Sequence, residues 1–210
     1  MVEELHGTLT RSTCTFPYFM LVAFEAGSPL RGLLLLLLWP FIALINTFLS
    51  QAIALQMLIF ISMAGLRMKD LEGVGRAVLS RFYLQDLRGS AYKVFMAHHR
   101  RCVVTCFPRV VVEDFCREYL GAEMVLGTEL HSVKGICTGL VSAKSGYGYG
   151  YGFLVDGTKK REVVKMALHH QQPHLGMSTI SSSHAVLSLC KVCMCFQNLI
   201  TRFNQLLISC

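Results

Sequence analysis

An α/β fold, built on a parallel sheet and interrupted by an inserted apolar helical module, is what this sequence predicts. Three observations carry that prediction. Short β-branched runs alternate with helical patterns in the second half of the chain, a short apolar segment near the N-terminus runs into a turn, and residues 33–66 between them hold no charged side chain. Strand and helix alternating on both sides of an insert is the pattern of a parallel sheet covered by helices.

Residues 2–5 read as a strand that enters a loop at Gly7 and Thr8. Residues 16–26 are apolar and helical in pattern, leading into the uncharged run. Leu71, Val74, Val78, Leu79 and Phe82 recur at helical spacing with charges between them, which predicts an amphipathic helix over 69–82. A β-branched strand follows at 101–105, then a turn at Phe107 and Pro108, then a helix over 110–120 that Gly121 stops. Residues 123–131 read as a further strand. Residues 136–143 and 152–155 suggest a hairpin interrupted by the glycine and tyrosine repeat at 145–152, whose glycines favour flexibility. Residues 157–168 read as a helix with His169 and His170 at its C-terminal end. The core is therefore expected in residues 1–11 and 98–191, with the insert in 12–97 and a tail without counterpart in 192–210.

The uncharged run points to a membrane. Six successive leucines leave no polar face, and one continuous helix over 33–66 would reach about 50 Å against a hydrocarbon core of about 30 Å. Pro40 and the polar group Asn46, Thr47, Ser50 and Gln51 offer places to bend or break it. Two arrangements stay open: a span from Gly32 to Leu49 with the rest along the surface, or two shorter helices forming a hairpin in one leaflet. A buried helical pair in a globular core is the bland alternative.

Composition agrees with a membrane setting. Of the 210 residues, 53% are hydrophobic and only 16% charged, whereas soluble domains carry about a quarter charged. The net charge of +7 suits an anionic lipid surface, with Arg31, Arg67 and Lys69 flanking the run. Nucleic acid is not expected as a partner, because the basic residues are dispersed and no binding motif occurs. Glu3 and Glu4 stand where a secretory signal would be basic, so most of the nine cysteines are expected to be reduced. Cys190, Cys193 and Cys195 have a spacing that could hold a metal, but no second ligand pair follows.

Ligands of parallel sheets gather at the carboxyl ends of the strands. Those ends carry residues 4–8, residues 105–108 and the segment around Gly176, and there the sequence resembles a known family. The blocks LHGTL (5–9), FPYFMLVAFEAG (16–27), VVT (103–105), PRV (108–110), EYLG (118–121) and GTEL (127–130) occur in the order found in the N-terminal region of plant membrane-bound glycerol-3-phosphate acyltransferases of the cutin and suberin type. That region is similar to haloacid dehalogenase phosphatases.

The resemblance implies a haloacid dehalogenase-like sheet and a parent enzyme that transfers an acyl group from acyl-CoA to glycerol 3-phosphate at the endoplasmic reticulum. It also implies a phosphatase-type site. Such chemistry uses an aspartate nucleophile, a second aspartate two residues later as acid and base, a hydroxyl and a lysine on the phosphate, and a late carboxylate for magnesium. Thr105 matches the hydroxyl and Lys159 or Lys160 the lysine, while Glu4 takes the nucleophile position and His6 the acid–base position. Glutamate is one methylene too long, about 1.5 Å, where a catalytic group must be held within about 0.5 Å. No Asp or Glu occurs between Leu175 and Lys191, so the magnesium site of the family is expected to be lost and no cofactor is expected.

The family's acyl-transfer centre places a histidine and an aspartate with four residues between them. No histidine of this chain has Asp five positions later, and His98 and His99, beside Arg100 and Arg101, read as surface residues. The expectation is therefore a chain truncated before the acyltransferase domain, catalytically inactive, bound to membrane lipid and able to pair with full-length acyltransferase relatives. Two alternatives remain, a noncatalytic membrane interaction module and a surviving lysophosphatidic acid phosphatase.

Overall fold

The computed structural model describes residues 1–142, Val164, Ala167, Leu175–Thr179 and Val192–Phe196. Seven strands are formed among them: β1 (Val2–Glu4), β2 (Cys102–Pro108), β3 (Met124–Thr128), β4 (Leu130–Val133), β5 (Ile136–Val141), β6 (Leu175–Thr179) and β7 (Val192–Phe196). Five make one sheet in the order β3-β2-β1-β6-β7, and all its pairings are parallel. β1 lies at its centre, with Val2 opposite both Cys102 and Gly176. The chain adds strands first on one side of β1 and then on the other. That reversal opens a crevice at the carboxyl end of β1, the place where open α/β sheets carry their sites.

Side chains of a strand alternate between the two faces of the sheet. Val2, Cys102, Val104 and Leu126 pack on one face with Val164, and Val103 and Val125 pack on the other, in a larger core with Leu5, Phe107 and Phe115. α7 (Arg109–Glu118) covers that second face through Val111, Val112, Phe115 and Cys116. Its exit turns at Gly121, whose φ of 57° lies where glycine has no Cβ penalty.

The structure differs from the sequence reading at several points. The strand expected over 123–131 is two strands: β3 ends at Thr128, and β4 leaves the parallel sheet to form a separate antiparallel pair with β5. The partner of β5 is therefore Leu130–Val133 instead of 152–155, which lie outside the described residues. Lys134 and Gly135, at φ 51° and 80°, make the two-residue turn between them, a geometry matched to the twist of a hairpin. The tail expected from residue 192 begins with β7, paired along its length to β6, because Val192 and the residues after it can extend the sheet edge.

The insert consists of α1 (Phe16–Val22), continued by a π-helical turn at Ala23–Gly27, then α2 (Pro29–Phe48) and α3 (Gln51–Met63). α4 (Met68–Val74), a π-helical turn at Gly75–Leu79 and α5 (Ser80–Asp86) complete it in place of the single helix expected over 69–82. Ser28 caps α2 by accepting from Arg31 N at 3.4 Å, and Ser50 caps α3 by accepting from Ala52 N at 3.2 Å. α2 passes through Pro40 unbroken. The apolar run breaks instead at Leu49 and Ser50, so it folds as a helical hairpin. α2 has 20 residues and reaches about 30 Å, long and apolar enough to cross a membrane.

The two connections between core and insert run side by side. Arg11 N donates to Asp86 O at 2.9 Å, Arg88 N donates to Leu9 O at 2.7 Å, and Thr10 bridges Leu87. α6 (Gly89–Met96), assigned to the insert on sequence, follows this return connection and leads into β2.

Candidate active site

β1 ends at Glu4, and the next five residues, Leu5–Leu9, fold into a tight buried turn. Gly7 sits at φ 84°, which lets its N–H reach Ser12 O at 3.0 Å. Thr10 N donates to Leu5 O at 2.9 Å and closes the loop. The turn projects His6 toward Thr105 in the middle of β2. Glu4, opposite Val104, is buried at the strand end.

His6 is held on all sides. Nδ1 lies 3.1 Å from Thr105 Oγ1 and Nε2 lies 3.4 Å from the Tyr83 hydroxyl. The rings of Tyr18, Tyr83 and Phe107 surround it at centroid distances of 5.4, 5.7 and 5.8 Å. Thr105 Oγ1 also accepts from Phe107 N at 3.0 Å. This set is satisfied when Nδ1 carries the imidazole proton and donates to Thr105, with the Tyr83 hydroxyl donating to Nε2. Burial pushes the Tyr83 hydroxyl well above its ordinary range, so it stays a neutral donor.

Tyr18 extends the network outward. It stacks on Tyr83 at 4.6 Å and donates to Asp86 Oδ2 at 2.8 Å, the oxygen that also accepts from Ser12 N at 3.0 Å. Burial first, and then the Asp86 carboxylate, raise the Tyr18 hydroxyl above its usual pKa.

The structure thus brings together three of the sequence-predicted positions, Glu4, His6 and Thr105. Lys159 and Lys160 lie outside the described residues, as do His169, His170 and Cys190. Tyr18, Tyr83, Phe107 and Asp86 were not singled out on sequence. Tyr18 stands inside the block FPYF, the one local signal that would have pointed to it.

A cavity of about 310 Å³ is lined by Thr13, Thr15, Trp39, Asn46, Leu55 and Cys106 among others; none of its described lining side chains is charged, and Glu4, His6 and Thr105 are not among them. The described residues supply no cation there for a phosphate. Nor do they suit magnesium, which prefers several hard oxygen ligands in near-octahedral geometry. Among the described residues no group of three or more His, Cys, Asp or Glu side chains comes together, and the late strand β6 offers Leu, Gly, Met, Ser and Thr alone.

A parallel sheet in the order 3-2-1 followed by two strands on the far side, with a helical insert directly after the first strand and its turn, defines a haloacid dehalogenase-like fold. Solved structures agree. A protein of unknown function from Bordetella pertussis Tohama I superposes with a TM-score of 0.70 at 14% identity, covering 99% of this chain and 94% of that one. A probable phosphoserine phosphatase from Vibrio cholerae gives 0.64 at 11% identity, over 96% and 58% of the two chains.

Sequence relatives are more specific. Residues 1–196 match the family described as glycerol-3-phosphate acyltransferase RAM2-like, HAD-like domain, and the chain belongs to that family. It is 39% identical over 187 residues to glycerol-3-phosphate acyltransferase RAM2 of Petunia hybrida, covering 89% of this chain and 38% of that protein. Glycerol-3-phosphate acyltransferase 1 of Arabidopsis thaliana is 38% identical over 183 residues, covering 84% and 29%. The chain therefore spans well under half the length of these relatives.

Proposed function

We propose that this chain is the haloacid dehalogenase-like region of a glycerol-3-phosphate acyltransferase serving cutin or suberin lipid synthesis, and that the region itself does not hydrolyse phosphate esters. The parent reaction breaks the thioester of acyl-CoA and forms an ester to a glycerol 3-phosphate hydroxyl, whose proton leaves with the coenzyme A thiol. This chain carries no histidine and aspartate at the spacing that acyl transfer in the family uses. Its place is the endoplasmic reticulum membrane, with lipid as partner through the apolar hairpin. Pairing with a full-length relative is a further role, read by co-purification from membranes.

One observation carries the inactivity. At the acid–base position stands a histidine whose two ring nitrogens are engaged by Thr105 and Tyr83 inside an aromatic enclosure. A general acid must reach the leaving oxygen directly or through one water, and His6 is 5% exposed. The hydroxyl expected to hold phosphate is the same Thr105 that faces His6.

The test is release of inorganic phosphate from lysophosphatidic acid with magnesium present, for wild type and for Glu4→Asp/His6→Asp. Wild type should release none. Magnesium-dependent turnover by wild type, lost in Glu4→Ala, would overturn the reading, while the double variant reports whether those two positions suffice to block chemistry.

A further inference from the structure

Most exposed side chains of α2 form one broad apolar face, with Asn46 exposed on the other side of the helix near its C-terminal end. At about 100° per residue, Leu30, Leu33, Leu34, Leu37, Phe41, Leu44 and Phe48 fall within one arc of about 100°. All seven are between 49% and 77% exposed. The polar residue bordering this arc, Thr47, satisfies itself by donating to Ala43 O at 2.9 Å. The opposite side of the helix, with Gly32, Leu35 and Ile42, is buried against the protein.

Both ends of the hairpin are fastened to the folded chain. Arg31 Nη1, in the first turn of α2, donates to Ser62 O at 3.3 Å at the far end of α3. α3 itself is fixed to the β4–β5 pair: Gln56 Nε2 donates to Gly139 O at 2.8 Å, Gly65 N donates to Cys137 O at 2.7 Å, and a Cβ at Gly139 would stand 2.7 Å from that of Ala64. That pair also carries exposed His131, Ser132 and Lys134. If α2 crossed a bilayer, α3 would be drawn into hydrocarbon with these polar groups. α3 has 13 residues, about 20 Å, and is too short to return across about 30 Å.

Resting on the membrane association proposed above, we infer that α2 lies in the plane of the membrane surface, with its leucine and phenylalanine arc in one leaflet and both helix ends on the same side. Lipid is the occupant that fits this face. It is leucine and phenylalanine throughout, lacking the arginine, tyrosine and polar rim that mark protein interfaces, and an interfacial helix buries such a face about 5–10 Å into the headgroup boundary.

Three single-tryptophan proteins test the orientation. In a Trp39→Phe background, Leu30→Trp, Phe41→Trp and Phe48→Trp place the probe along the arc, at positions 63–77% exposed, where the fold tolerates it. Quenching by lipids brominated at two chain depths, in phosphatidylcholine vesicles with phosphatidylserine, should give one shared shallow depth. A span would place Leu30 and Phe48, about 27 Å apart along the axis, in opposite headgroup regions with Phe41 deeper. An end-on hairpin would grade steadily from Leu30 to Phe48. Either profile overturns the in-plane inference and leaves membrane association standing. Failure of the wild-type chain to float with vesicles overturns the association itself. Leu37→Arg/Leu44→Arg, at exposed positions, should abolish flotation with unchanged circular dichroism, and flotation that persists would remove α2 from the lipid contact.

Discussion

Glu3 should make this protein lose stability as pH rises through the neutral range. Its side chain is fully buried, both carboxylate oxygens lack a hydrogen-bond partner among the described residues, and burial pushes its pKa from 4.5 up to about 9. Desolvation is the cause, and the described residues offer no cation in compensation. At pH 7 the folded chain keeps the proton and the unfolded chain releases it. The unfolded state therefore binds fewer protons, and stability falls with pH between 4.5 and 9. Below that window the contribution is fully present; above it, it is lost. At about 1.4 kcal/mol per pH unit the full window amounts to on the order of 6 kcal/mol, roughly half of it already lost at pH 7. Glu3→Gln keeps the shape and removes the titration. Urea unfolding in mild detergent at pH 5, 7 and 9, followed by circular dichroism, should show the wild type weakening by several kcal/mol relative to the variant. Parallel pH profiles for the two proteins would refute the reasoning, because they would mean that Glu3 ionises alike in both states.

Packing gives a contrasting pair of glycines. A Cβ at Gly75 would stand 2.6 Å from Val111 O and 2.9 Å from Val111 Cα, so Gly75→Ala should lose about 1–3 kcal/mol by forcing the Gly75–Leu79 turn away from α7. Gly73, two residues earlier with nothing within 4 Å, should gain about 0.5–1 kcal/mol as alanine through helix propensity; both are read from urea midpoints. Tyr18→Phe removes the 2.8 Å hydrogen bond to Asp86 and should cost about 1–3 kcal/mol, with faster proteolysis where the insert joins the core.

Much of the core was legible because its signals are local. The β-branched run at 102–105 formed β2, the helical periodicity after Pro108 formed α7, and Gly121 ended it. Glu4 and Thr105 fall on adjacent strands, in or beside the blocks that occur in family order. Two local signals misled. Lys134-Gly135 does not have the Asn-Gly or Asp-Gly pattern of a tight hairpin, although the glycine supplies half of the same geometry, so β4 was joined to β3. Val192–Phe196 reads by its cysteines and not by its edge-strand pattern. The aromatic enclosure of His6 was out of reach for a different reason. Thr105 and Tyr83 are 99 and 77 positions from His6, and only the folded chain puts them within hydrogen-bond distance.

That enclosure places His6 at the junction of the core and the insert. Tyr18 and Tyr83 come from the insert, whereas Thr105 and Phe107 belong to β2 of the core, so the imidazole between them joins the two parts of the molecule. An aspartate at the same place would be a charged carboxylate against three aromatic rings, costly without a cation or metal beside it. A neutral imidazole can donate to one part and accept from the other while its ring packs against the aromatics. His6 therefore fastens the helical insert onto the sheet, through Tyr83 on one side and Thr105 on the other. The Asp86 contacts to Tyr18 and Ser12 extend the same junction to the two connecting segments.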